Sequence, residues 1–77
     1  MPALLRMRQL EQRLGVKRVT IYKRIRLGQL PPPVKYGSHV SIWPSDEIDA
    51  CCQAIIRGAT DDDMRQLVHG LMERRAA

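Results

Sequence analysis

Four side chains could hold a metal or act as nucleophiles: Cys51, Cys52, His39 and His69. Zinc sites favour cysteines two to four residues apart, and an adjacent pair does not fit that spacing. Adjacent cysteines also fit disulfide geometry poorly. Free Cys is among the most buried residue types, so Cys51 and Cys52 read as core and no metal site is expected. The sequence contains no Gly-x-Ser-x-Gly, P-loop or Gly-x-Gly-x-x-Gly, and no catalytic residue or cofactor is assigned. The single carboxylate cluster is Asp61, Asp62 and Asp63. It falls where a helix start wants negative charge.

The remaining chemistry is cationic. The chain has 77 residues and a net charge of +5. Residues 1–35 carry nine Lys or Arg against one acid, Glu11, whereas residues 36–77 carry four against seven. Between Gln12 and Asp46 there is no acid at all. A face of one sign suits a polyanion. A chain this short forms one domain with a thin core and has little room for a deep catalytic cleft. No apolar run approaches the ~18 residues of a membrane span. Arg6 and Arg8 interrupt any apolar leader, and a reduced, cytoplasmic setting is expected.

The elements that position these charges follow from periodicity. Met7, Leu10 and Leu14 recur at i, i+3 and i+7 and predict a short amphipathic helix ended by Gly15. A second helix runs from about Lys17 to Leu27, with Ile21 and Ile25 on its core side and Gly28 ending it. Two short helices joined by a Gly-containing turn fit a helix-turn-helix. The other positions of the second helix are Arg18, Val19, Tyr22, Lys23, Arg24 and Arg26. A helix that needs only solubility usually mixes signs.

Pro31, Pro32 and Pro33 form a stiff connector. Val34–Tyr36 and Val40–Trp43 then flank a three-residue loop, Gly37-Ser38-His39, and read as a hairpin. Val40 and Ile42 are expected to face inward. Ser45 is the expected N-cap of a third helix, with Asp46 and Glu47 in its first turn. Ile48, Cys51, Cys52, Ile55 and Ile56 form its apolar stripe. Thr60 caps a fourth helix, whose stripe is Met64, Leu67, Val68, Leu71 and Met72. That stripe, within residues 60–75, is a candidate self-association face. The fold class is mainly α with a small β-hairpin: a winged helix-turn-helix over residues 4–56 and a C-terminal helical extension over 57–77.

The order of these pieces resembles a family. Leu5-Arg6-Met7-Arg8-Gln9-Leu10 through Leu14-Gly15-Val16-Lys17-Arg18-Val19-Thr20-Ile21-Tyr22 is similar to the AlpA-type prophage regulators, relatives of small phage excisionases. Gly28-Gln29-Leu30-Pro31-Pro32-Pro33-Val34-Lys35-Tyr36-Gly37 resembles the family's linker into the wing. Val40-Ser41-Ile42-Trp43-Pro44-Ser45-Asp46-Glu47-Ile48-Asp49-Ala50 resembles its second wing strand and following helix. The resemblance covers residues 4–56 and implies a winged helix-turn-helix related to the MerR-type domain. It also implies binding near attachment sites or promoters of integrated elements. Three positions depart from the pattern: Lys17 for a small capping Ser, Ser38-His39 for a more basic wing tip, and Cys51 for Trp.

The expected activity is sequence-specific binding of double-stranded DNA by a regulator or excisionase-type factor, not catalysis. The second helix is expected in the major groove, with its N-terminal residues at base edges. Arg18 and Lys23 are assigned to bases and Val19 to a thymine methyl. Thr20 and Tyr22 are assigned to phosphates, Lys17, Arg26 and Lys35 to the backbone, and His39 to the minor groove. An integrase or RNA polymerase is a candidate partner. Two rival readings are a phage DNA-packaging recognition subunit and an adaptor whose basic face meets an acidic protein.

Overall fold

The spacing of Met7, Leu10 and Leu14 turns one side of a helix toward the core. In the computed structural model, which describes residues 1–77, helix α1 runs Met7–Leu14. Leu10 is fully buried there, and Met7 and Leu14 pack against the same cluster. Gly15 ends α1 at φ +68°, a left-handed conformation that costs glycine little. Gly15-Val16-Lys17 form the turn, and α2 runs Arg18–Arg26. Ile21 is fully buried and Ile25 half-buried, as their shared face requires.

The prolines carry the chain across the core, not only around it. Pro31 is buried, and its carbonyl accepts a hydrogen bond of 2.9 Å from the Trp43 indole Nε1. The hairpin follows as β2, Val34–Tyr36, and β3, Val40–Pro44. Its register pairs Val34 with Ile42, Lys35 with Ser41 and Tyr36 with Val40. Gly37 in the loop lies at φ +73°, where other residues are strained.

The sheet has a strand the sequence did not announce. Leu4–Leu5 form β1, which pairs antiparallel with Trp43–Pro44 and makes β3 the central strand in the order β1-β3-β2. Two residues are too short for a period-two pattern to register. The third strand also changes the expected burial of β3. Ile42 faces inward as expected, but Val40 is only half-buried. Trp43, on the alternate face, is the largest fully buried side chain.

Ser45 does not cap the third helix, α3, Ser45–Ile56; Pro44 holds the N-cap position. The Ser45 hydroxyl instead accepts from Ala3 N–H at 2.7 Å, while Ser45 N–H donates to the Ala3 carbonyl. The seryl oxygen therefore extends the β1–β3 pairing. Ile48 and Cys51 are fully buried as expected. Ile55 and Ile56 are not core: they are 52% and 76% exposed. The chain turns away at Gly58 into α4, Asp61–Ala76, and in the last turn of α3 only Ala54 packs against the core cluster.

Thr60 caps α4 as expected: its Oγ1 accepts from Asp63 N–H, and Asp63 Oδ2 accepts from Thr60 N–H. These bonds hold the Asp63 carboxyl below the usual carboxylate range. Met64, Val68 and Leu71 are buried. The apolar side of α4 is thus taken up by the chain's own core, because a domain this small needs every stripe it has. Near the end of α4, Arg75 Nε donates to the buried Glu47 carboxylate at 2.8 Å. Arg75→Ala leaves that charge without its partner and is expected to cost about 2–3 kcal/mol, less than a fully buried pair because Arg75 is partly exposed. Urea denaturation checks this.

Candidate nucleic-acid interface

At 100° per residue, Arg18, Val19, Tyr22, Lys23 and Arg26 fall on one side of α2. All five are exposed, Val19 at 76%. Lys17, just before the helix, is exposed as well. Ile21 and Ile25, on the flank that adjoins Arg18, anchor the helix to the core. Five of the nine residues expected at the interface therefore gather on one side of α2, with Lys17 exposed at its start.

Thr20 does not join them. It is half-buried and lines a groove with Leu14, Val16, Arg24, Ile55 and Met64. Its position, two residues after Arg18, turns it roughly 200° away from that side chain. Lys35 and His39 are exposed on the hairpin, a separate element, and the Lys35 ammonium donates to Ser41 Oγ at 2.8 Å.

The charges on α2 are unevenly compensated. The ion pairs are Arg13–Asp49, Arg24–Asp61, Arg65–Asp62, Arg75–Glu47 and His69–Glu73. None involves Lys17, Arg18, Lys23 or Arg26. Lys23 and Arg26 lie in the last turn of α2, where the helix dipole favours cations. Lys17 and Arg18 lie at the opposite, positive end, where no acid occupies the first turn. Cations there oppose the dipole by about 0.3–1 kcal/mol each. Folding gains nothing from them, and an external anion would.

Two contacts steady α2, and neither has a signature in spacing. At its start, Arg18 N–H donates to Glu11 Oε2 at 2.8 Å. At its end, Arg65 Nε on α4 donates to the Leu27 carbonyl at 3.0 Å. A charge count shows that Glu11 is unusual but not what it touches. Arg65 is one arginine among several until α4 is folded against α2.

The cysteines belong to the core side. Burial, with Cys52 and Glu47 nearby, pushes the Cys51 thiol up to about 12. Burial followed by Asp49 raises Cys52 as well. A thiol at that value stays protonated near pH 8 and is a poor nucleophile. Alkylation at pH 8 is expected to reach the half-buried Cys52 first, and Cys51 only after denaturation; peptide mass analysis checks the order.

No helix is long and apolar enough to cross a membrane. No curated protein and no solved structure matches the chain. Residues 3–54 match the family model of the prophage CP4-57 regulatory protein (AlpA). That stretch takes in β1, the α1–α2 pair, the hairpin and nearly all of α3, and the chain belongs to the AlpA family of prophage regulatory proteins.

Proposed function

We propose that this protein binds double-stranded DNA sequence-specifically, as a transcription regulator or excisionase-type factor of a prophage or integrative element. The reading is carried by the exposed side of α2, where Lys17, Arg18, Lys23 and Arg26 stand without acid partners. In this reading α2 lies in the major groove with Arg18 and Lys23 at base edges and Val19 against a thymine methyl. Tyr22, Lys17 and Arg26 meet phosphates. Lys35 and His39 approach the backbone and minor groove from the hairpin. Thr20 acts from the core side, supporting the helix.

Residues 57–77 serve as a helical extension bracing the DNA-binding unit of residues 4–56. Arg65 on Leu27 and Asp61, 3.8 Å from Arg24, are the contacts that support this division of labour. A single module of this size covers on the order of 600–1,000 Å² of DNA. Useful affinity then needs several copies on repeated half-sites, or a partner such as an integrase or RNA polymerase. The setting is the cytoplasm, on the nucleoid.

The test is a gel shift on DNA flanking the gene, against scrambled competitor, over a salt series. With three phosphates neutralised by Lys17, Arg26 and Lys35, affinity falls about 40-fold between 50 and 200 mM salt. A flat salt response, or equal affinity for the scrambled duplex, overturns the reading.

A further inference from the structure

A helix start leaves backbone N–H groups without intrahelical acceptors. Ser, Thr, Asp or Asn just before the first turn usually satisfies one of them. At α2 that position is Lys17, whose side chain makes no capping bond. Lysine carries only donors, so none is available from it. The first amide is nevertheless satisfied, because the Glu11 carboxylate reaches it across the turn from α1. Glu11 is the one acid before Asp46, and it shares a shallow hollow with Arg8 and Lys17.

A lone carboxylate among phosphate-seeking cations works against general DNA affinity. It also occupies a helix start, a place where phosphates often bind. Both are expected of a group whose task is to hold α2 in place. We propose that Glu11 is a positioning residue for DNA recognition: its carboxylate holds the first amide of α2 in the absence of a local cap, fixes the first turn of α2, and so presents Arg18 and Val19 in one orientation. This rests on the reading of α2 as the DNA-facing helix.

A double-mutant cycle with Lys17→Ser, which supplies a local cap, tests it on the full chain. The readouts are the exchange protection of the Arg18 amide in the free protein and the preference for the flanking-DNA duplex over a scrambled one. Glu11→Ala is expected to lower both about tenfold, the size of one lost cap. In the Lys17→Ser chain, the serine hydroxyl can take the Val19 or Thr20 amide and hold the first turn, so the same change is expected to leave the preference unaltered while the Arg18 amide still loses protection. Glu11→Gln keeps an acceptor oxygen, so it retains the preference while binding both duplexes several-fold more tightly through loss of a negative charge.

Equal losses of preference from Glu11→Ala in the two backgrounds, or an Arg18 amide unaffected by it in either, overturn the role. A preference that survives Glu11→Ala sinks the role alone. An unaltered chain with no preference for any duplex sinks the DNA reading and this role together.

Discussion

Trp43→Ala is expected to leave the fold marginal, with up to about half of the population unfolded at ordinary temperature. Trp43 is wholly excluded from solvent at the centre of the sheet, in one cluster with Leu5, Leu10, Ile21, Leu30, Ile48 and Met64. Removing such a side chain costs about 3–5 kcal/mol. A small domain holds only about 5 kcal/mol at the lower end of the usual range. At about 4–8 °C per kcal/mol, the thermal midpoint falls by 15 °C or more. Trp43→Phe separates packing from hydrogen bonding. It keeps an aromatic ring but removes the donor to the Pro31 carbonyl, and leaving that group buried and unpaired costs about 1–3 kcal/mol. Far-UV circular dichroism melts of the two variants give the order. An alanine variant that melts within a few degrees of the unaltered chain contradicts the placement of Trp43.

The double variant Arg18→Ala/Lys23→Ala is expected to lose cognate DNA preference by about 30-fold or more while keeping its fold. Each good base contact contributes about 1–3 kcal/mol of discrimination. Neither side chain makes an ion pair in the free protein, and both are exposed. Lys17→Ala/Arg26→Ala is expected to act differently. It weakens cognate and scrambled duplexes alike and lowers the salt slope by about 2. Titrations of the three proteins at two salt concentrations distinguish these outcomes. If both double variants lose affinity in parallel, Arg18 and Lys23 contact phosphates and not bases.

What could be read in advance tracks how local each cause is. The α1 and α2 helices, the Gly15 turn and the Thr60 cap depend on residues within a turn or two of one another, and each lies where spacing put it. The cationic side of α2 was legible for the same reason. Failures came where a partner distant in sequence decides. Ser45 has the right type for a cap, but Ala3, forty-two positions away, takes its hydroxyl. Ile55 and Ile56 continue the α3 stripe onto a turn where both stay more than half exposed. Alternation in β3 could not show that β1 would cover Trp43. Thr20 was grouped with its neighbours by sequence, although its angle around α2 places it among Leu14, Ile55 and Met64.

The buried Pro31 carbonyl, fastened to Trp43, joins the end of the helix pair to the central strand without slack. Under the proposed reading, α2 and the hairpin then form a caliper of fixed opening. Such a protein measures its target as well as reading it. One base pair inserted between the segment under α2 and the segment under the hairpin shifts the latter by about 3.4 Å and turns it around the duplex, out of register with the hairpin.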